Sequence, residues 1–247
     1  MQLRYRLVLP LMAVCLALVV APAFAAKPGP TLEPLPQGTV IPGVSITSAP
    51  CFPGNLEPPV YFAQFIFPPN DQYYQYLDPS QCGVCPTGTY VLSVAHMLLY
   101  WPSDCQLPVL VSVVGSTGGA CPAPDPTNVI CAATLYPIDG AGGPLKQHDF
   151  ALPPGCCISG PAFLCVNFLQ SGNCSLAPSG LTSPYLLIDG TGDACQSYNI
   201  YPADPIARDL VTYYGFPGNL NMWADADCCP PTSTLPGSWG MLKTLYR

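Results

Sequence analysis

The sequence predicts an all-β protein: an antiparallel two-sheet sandwich, jelly-roll-like and rich in disulfides. Three observations lead there. Proline occupies 33 of 247 positions, about 13% where roughly 5% is usual, and each interior proline would remove a helix hydrogen bond and kink the helix. No window keeps a 3.6-residue apolar period for three turns without meeting Pro or Gly. Fourteen cysteines offer a covalent framework. Composition also excludes whole classes. With 49% hydrophobic and only 9% charged residues, the chain is too apolar for intrinsic disorder. Seven basic against fourteen acidic residues exclude an electrostatic nucleic-acid binder, which needs clustered Lys and Arg.

The elements follow in order. Residues 1–25 read as a signal peptide: Arg4 and Arg6, the apolar run Leu7 to Val20, then Ala23-Phe24-Ala25 as the cleavage pattern. The run is too short to span a membrane, which takes about 20 residues. The expected mature chain starts near Ala26 with no transmembrane segment. It keeps five basic against fourteen acidic residues, a net charge of −9. Residues 26–58 form an extended Pro/Gly-rich lead-in able to add an edge strand.

The sandwich domain is expected over residues 59–229. Its strands are Tyr61 to Phe67, Tyr90 to Trp101, Val109 to Val114, Asp149 to Leu152, Ala162 to Leu169, Tyr185 to Ile188 and Leu220 to Ala224. Each is a short β-branched or aromatic run bounded by turn formers. Alternation puts Val109, Val111 and Val113 on one face, and likewise Ala162, Leu164, Val166 and Phe168. Residues 230–247 read as a linker and a tail, in which Trp239, Leu242 and Tyr246 could share a helical face.

Setting aside Cys15 leaves thirteen cysteines: Cys51, Cys82, Cys85, Cys105, Cys121, Cys131, Cys156, Cys157, Cys165, Cys174, Cys195, Cys228 and Cys229. Export implies an oxidising compartment and disulfides. Thirteen is odd, so one is unpaired or intermolecular. Cys121 and Cys131 bracket Pro122 to Pro126, which suggests a local staple. The adjacent pairs Cys156-Cys157 and Cys228-Cys229 are expected to bond outward, each member to a different neighbour.

Val91 to Val94, Tyr100-Trp101 and Leu107 to Val114 resemble the central strands of bacterial secreted jelly-roll modules. Leu152 to Phe163, Cys195 to Tyr201, Gly215 to Asn219 and Trp223 to Asp225 are similar to stretches of cysteine-rich secreted proteins of environmental bacteria. The resemblance covers roughly residues 60–229. It implies a β-sandwich and export, and it brings no catalytic residues. The tail similarly resembles C-terminal sorting or anchoring tails.

Several constellations could carry chemistry. Cys82-Gly83-Val84-Cys85 has zinc or redox spacing, but in an exported chain disulfides take precedence. A catalytic triad would need His96 or His148, and no Gly-x-Ser-x-Gly elbow occurs. His96 sits mid-strand with Val94, Leu98 and Tyr100, as a core histidine would. A glycosidase pair would have to draw on Glu33, Glu57 or the aspartates. Asp189-Gly190-Thr191-Gly192-Asp193, with Asp225 and Asp227, reads two ways: a structural calcium site, or a turn in which Asp bonds backbone amides. Tyr73, Tyr74 and Tyr76, with Trp101 and Trp223, are the candidate ligand-binding aromatics; the alternative is that they cover a sandwich edge.

The expected protein is therefore secreted or at the cell surface. It would act as a non-enzymatic binding or adhesion module for a glycan or a surface protein. It needs no cofactor beyond the candidate calcium. The alternatives are a self-assembling surface protein cross-linked by the odd cysteine, and a carbohydrate-active hydrolase.

Overall fold

In the computed structural model, which describes residues 31–36, 39, 51–64, 68–169, 172–174 and 183–229, two antiparallel sheets face each other across an apolar core. The expected signal peptide, the tail and the Phe67 end of the first strand lie outside the described residues. The first sheet orders β1 (Thr31–Pro34), β2 (Tyr61–Gln64), β10 (Tyr185–Ile188), β4 (Tyr90–Tyr100) and β13 (Met222–Cys228). On the other edge of β4 lie β7 (Leu145–Ala151) and β8 (Cys157–Ile158). The second sheet orders β12 (Asp204–Asp209), β11 (Ser197–Tyr201), β3 (Asp71–Leu77), β9 (Ala162–Phe168), β5 (Gln106–Ser116) and β6 (Pro124–Asp139). The chain changes sheet at eight of the twelve connections between these strands. Among the described residues helix is limited to a 3-10 turn, Pro79–Gln81, and one short α1, Leu210–Tyr214.

Side-chain alternation builds the core. Val109, Val111 and Val113 of β5 pack inward with Ala162, Leu164, Val166 and Phe168 of β9. Met97 and Leu99 of β4 meet them from the opposite sheet, with Leu186, Ile188, Met222 and Ala224. The outward residues of β9, Phe163 and Cys165, are buried as well, under Tyr74, Val114, Tyr198 and Ile200. The lead-in supplies β1 as an edge strand on β2. Further along, it bridges β13 at Cys51↔Ala226 and Gly54↔Trp223.

Six disulfides fix this arrangement: Cys51–Cys82, Cys85–Cys228, Cys105–Cys174, Cys121–Cys195, Cys131–Cys156 and Cys157–Cys229. The expected Cys121–Cys131 staple is corrected. Cys131 lies on β6 and reaches Cys156 beside the other sheet, while Cys121 reaches Cys195 before β11. The adjacent cysteines do bond outward, and Cys157–Cys229 spans across β4. Cys82 and Cys85 join different partners, so they form neither a zinc half-site nor a redox pair.

Cys165 is the odd thiol, buried beneath the second cluster. Burial pushes it up to about 12, and only a thiolate attacks a disulfide. Intermolecular cross-linking through the odd cysteine is thereby corrected: a thiol 4% exposed cannot meet another chain without unfolding.

Candidate functional site

The residues that converge at one end of the sandwich come from six separate places in the chain, Gln81 of the 3-10 turn among them. The others are Gly54 to Glu57 of the lead-in, Gln75 of β3, Asp189 to Asp193 after β10, Gln196 before β11 and Asn219 before β13; together they surround a cleft of about 430 Å³. Asp189 organises it. Oδ1 accepts from the Thr191 backbone N–H at 3.0 Å, the Thr191 hydroxyl at 3.0 Å and the Asn219 N–H at 2.8 Å. Oδ2 accepts from Asn55 Nδ2 at 2.8 Å. That amide also donates to the carbonyl of Leu220 at 3.0 Å. One buried carboxylate therefore holds three loops in register through charge-assisted bonds.

Backbone spacing enforces the arrangement. A Cβ on Gly218 would sit 2.1 Å from Asp189 Oδ1 and 2.3 Å from its carbonyl oxygen. Only glycine permits that approach. We expect Gly218→Ala to destabilise the fold by roughly 1–3 kcal/mol, as overpacking does, measured by guanidinium denaturation.

Beneath the cleft, the facing sides of β3 and β11 are polar. Ser197 Oγ donates to Gln75 Oε1 at 2.6 Å, and Asn199 Nδ2 to Asp71 Oδ1 at 2.8 Å. The Tyr73 hydroxyl donates to Asp71 Oδ2 at 2.9 Å. These groups satisfy one another. Asn219 differs: it is 3% exposed, its Nδ2 reaches the Thr191 hydroxyl at 3.4 Å, and its Oδ1 is buried with no partner. A buried acceptor left unmade costs about 1–3 kcal/mol.

The aromatic candidates sit elsewhere. Tyr73, Tyr74, Trp101 and Trp223 are buried, so they offer no ring face to an external ligand, which corrects that expectation. Strand alternation explains it, because Tyr73 faces the core and Tyr74 the cluster around Phe163. Trp223 stacks on His96 with ring centroids 5.1 Å apart. Tyr76 alone is half-exposed, and it lines a second cleft of about 400 Å³ beside the Cys121–Cys195 bridge. Gln196 belongs to the walls of both clefts.

The four calcium candidates do not converge either. Asp189 and Asp193 line the cleft. Asp225 lies on β13, 3.1 Å from His96 Nε2, while Asp149 takes His96 Nδ1 at 2.7 Å. Asp227 is exposed at the end of β13. Among the described residues no group of three His, Cys, Asp or Glu is placed to hold a metal ion. Asp189 instead makes the side-chain-to-backbone turn that was the other reading.

His148 accepts the Trp101 indole N–H at 2.9 Å, which requires a neutral ring nitrogen. Burial, then the Lys146 ammonium, push its imidazole down from 6.5 to about 4. The unfolded chain therefore takes up the proton first. This contribution is complete above pH 6.5 and is lost as pH falls to about 4, some ~3 kcal/mol in all. Denaturant titrations at pH 7 and pH 4 should show His148→Gln losing less stability than the parent by that amount.

The architecture defines a disulfide-locked, two-sheet antiparallel sandwich carrying a polar cleft at one end. The chain belongs to the family DUF7451, described as a domain of unknown function, which matches residues 51–226. No curated protein matches it significantly. Three solved chains match. One is the crystal structure of the cysteine protease and lectin-like domains of Cwp84, a surface-layer-associated protein of Clostridium difficile. It is 11% identical with a TM-score of 0.43, and the match covers 68% of this chain and 33% of that one. The clostridial Cwp84 protease after propeptide cleavage gives 12% identity and a TM-score of 0.43, covering 66% and 37%. The chain thus spans about a third of the length of these structures.

Proposed function

We propose that this protein is an extracellular or cell-surface binding module without catalytic activity, whose end cleft takes a polyhydroxylated ligand, a glycan. The observation that carries the reading is the cleft itself, walled by amides and carboxylates whose loops Asp189 holds fixed. Sugar hydroxyls donate and accept in defined directions, and such a wall meets them without rearranging. Six disulfides suit an oxidising compartment outside the cell. Both histidines are buried within the sheets and do not line the cleft.

A glycan array followed by calorimetry tests this. At least one glycan class should bind, and Gln196→Ala, which removes an accessible amide from the cleft wall, should weaken it about tenfold, the effect of one lost hydrogen bond. Silence across the array, or unchanged binding by Gln196→Ala, would remove the reading.

A further inference from the structure

We infer that the free edge of β6 is a pairing surface on which a second copy of this chain docks, strand against antiparallel strand. β6 runs for 16 residues, and among the described residues it pairs with β5 alone. Its other edge presents backbone N–H and C=O groups, the template on which another strand pairs. Three side chains of β6 add apolar surface: Val129, Ile130 and Leu135 are 56%, 37% and 59% exposed. The strand is held from behind. Cys131 is bridged to Cys156, the Tyr136 hydroxyl donates to the Ala151 carbonyl, and the Tyr136 ring packs on Phe150 with centroids 5.3 Å apart.

The other edges are guarded or covered. β12 carries Asp204, Pro205, Arg208 and Asp209, β1 carries Glu33 and Pro34, and β7 carries Lys146 and Asp149. β8 is only two residues long, and the lead-in bridges β13 at Cys51 and Gly54. Charge, proline and covering segments are the usual means of preventing strand addition. β6 has no charged residue between Asp125 and Asp139, and no proline between Pro126 and Pro137. Charge also selects the occupant. Each copy carries a formal net charge of −7, so two copies repel unless they meet where acids are absent, as along β6. Antiparallel pairing about a two-fold axis makes this surface its own complement and closes at two chains. It brings the Asp125 end of one copy toward the Asp139 end of the other, where Lys146, 2.5 Å from Asp139, supplies a cation. No residue of β6 lines either cleft, so the inference stands apart from the glycan reading.

Sedimentation equilibrium of the disulfide-bonded protein tests this. The mass should rise from one chain to two between about 1 µM and about 500 µM, the range of a modest interface. In the paired sample alternate amides of residues 128–135 should exchange with deuterium about tenfold more slowly, because free N–H groups become ladder bonds. Raising the salt from about 0.1 M to about 1 M screens the acids of the two copies and should tighten the pair. Leu135→Glu adds one acid per copy to the seam and should raise the dissociation constant at least about tenfold. Its side chain stands outside the core, so the melting temperature of the dilute protein should stay with the parent. Should that variant fail to fold, Val129→Glu decides in its place. Ile206→Glu, on the β12 edge and likewise exposed, should leave pairing unchanged. A parent that stays one chain at the highest concentration would overturn the inference. So would a pair that survives the β6 substitutions, a pair that Ile206→Glu weakens equally, or growth beyond two chains.

Discussion

Asp189→Ala should lower stability by about 3–5 kcal/mol and the melting temperature by roughly 10 °C. Four donors now end on this carboxylate: Asn55 Nδ2, the Thr191 N–H and hydroxyl, and the Asn219 N–H. Each buried donor left unmade costs about 1–3 kcal/mol, and a charged acceptor makes the loss larger. Water entering from the cleft can replace part of this, which keeps the sum below four full penalties. For a domain of this size about 1 kcal/mol corresponds to 2–4 °C. Asp189→Asn should land between parent and alanine, because one carboxylate oxygen becomes an amide that faces donors. Chelator should leave the parent's melting temperature unchanged. A metal-held loop would behave in the opposite way, melting lower in chelator and tolerating asparagine poorly only when metal is present.

Removing the Cys85–Cys228 bridge with a double serine variant should be the second large effect. The two cysteines are 143 residues apart in sequence. In the loop-entropy account an isolated cross-link of that span restricts the unfolded chain by about 5 kcal/mol. The neighbouring bridges Cys51–Cys82 and Cys157–Cys229 already restrict the same region, so the expected loss is about 3 kcal/mol, or 6–12 °C. Cys131–Cys156 closes only 25 residues, yet it links the sheets, and its loss should approach the same size. Cys165→Ala should move stability far less than either double variant, since no bridge is broken. Guanidinium titrations of the three proteins compare these directly. Equal stability of all three would mean that packing alone holds the sandwich.

What the sequence made legible was the part governed by local alternation. Tyr185–Ile188 is a strand with the expected bounds, and the inward faces of β5 and β9 carry the residues that β-branched periodicity assigns to them. The strands β3, β6, β8, β11 and β12 were not legible, and two of them show the physical reasons. The stretch around Asp71 to Tyr76 is polar and looks like surface, but it is β3, in the middle of a sheet. Its burial is tolerable only because Ser197 and Asn199, more than 120 residues away, supply partners. No local pattern reports that pairing. β6 carries Pro124, Pro126 and Pro137 and still forms a strand of 16 residues. It lies at the sheet edge, where a missing N–H harms no neighbour.

The site was half legible. Asp189 stood out in its glycine-flanked loop, and the turn it makes was one of its two readings. Asn55 and Asn219 did not stand out, since lone asparagines in Pro/Gly-rich segments are ordinary turn residues. Their meeting at Asp189 depends on the lead-in folding back over β13, which the bridge Gly54↔Trp223 records. Aromatic count pointed the other way. It favoured tyrosines and tryptophans that alternation and packing bury.

Nuclear magnetic resonance titration of the labelled protein with soluble glycan oligomers tests the site most directly. Saturable shifts confined to the amide resonances of Asn55, Glu57, Thr191, Asp193, Gln196 and Asn219 are the predicted result. Shifts gathered on the opposite end of the sandwich, or none at any residue as the oligomer is raised to millimolar, would contradict the account.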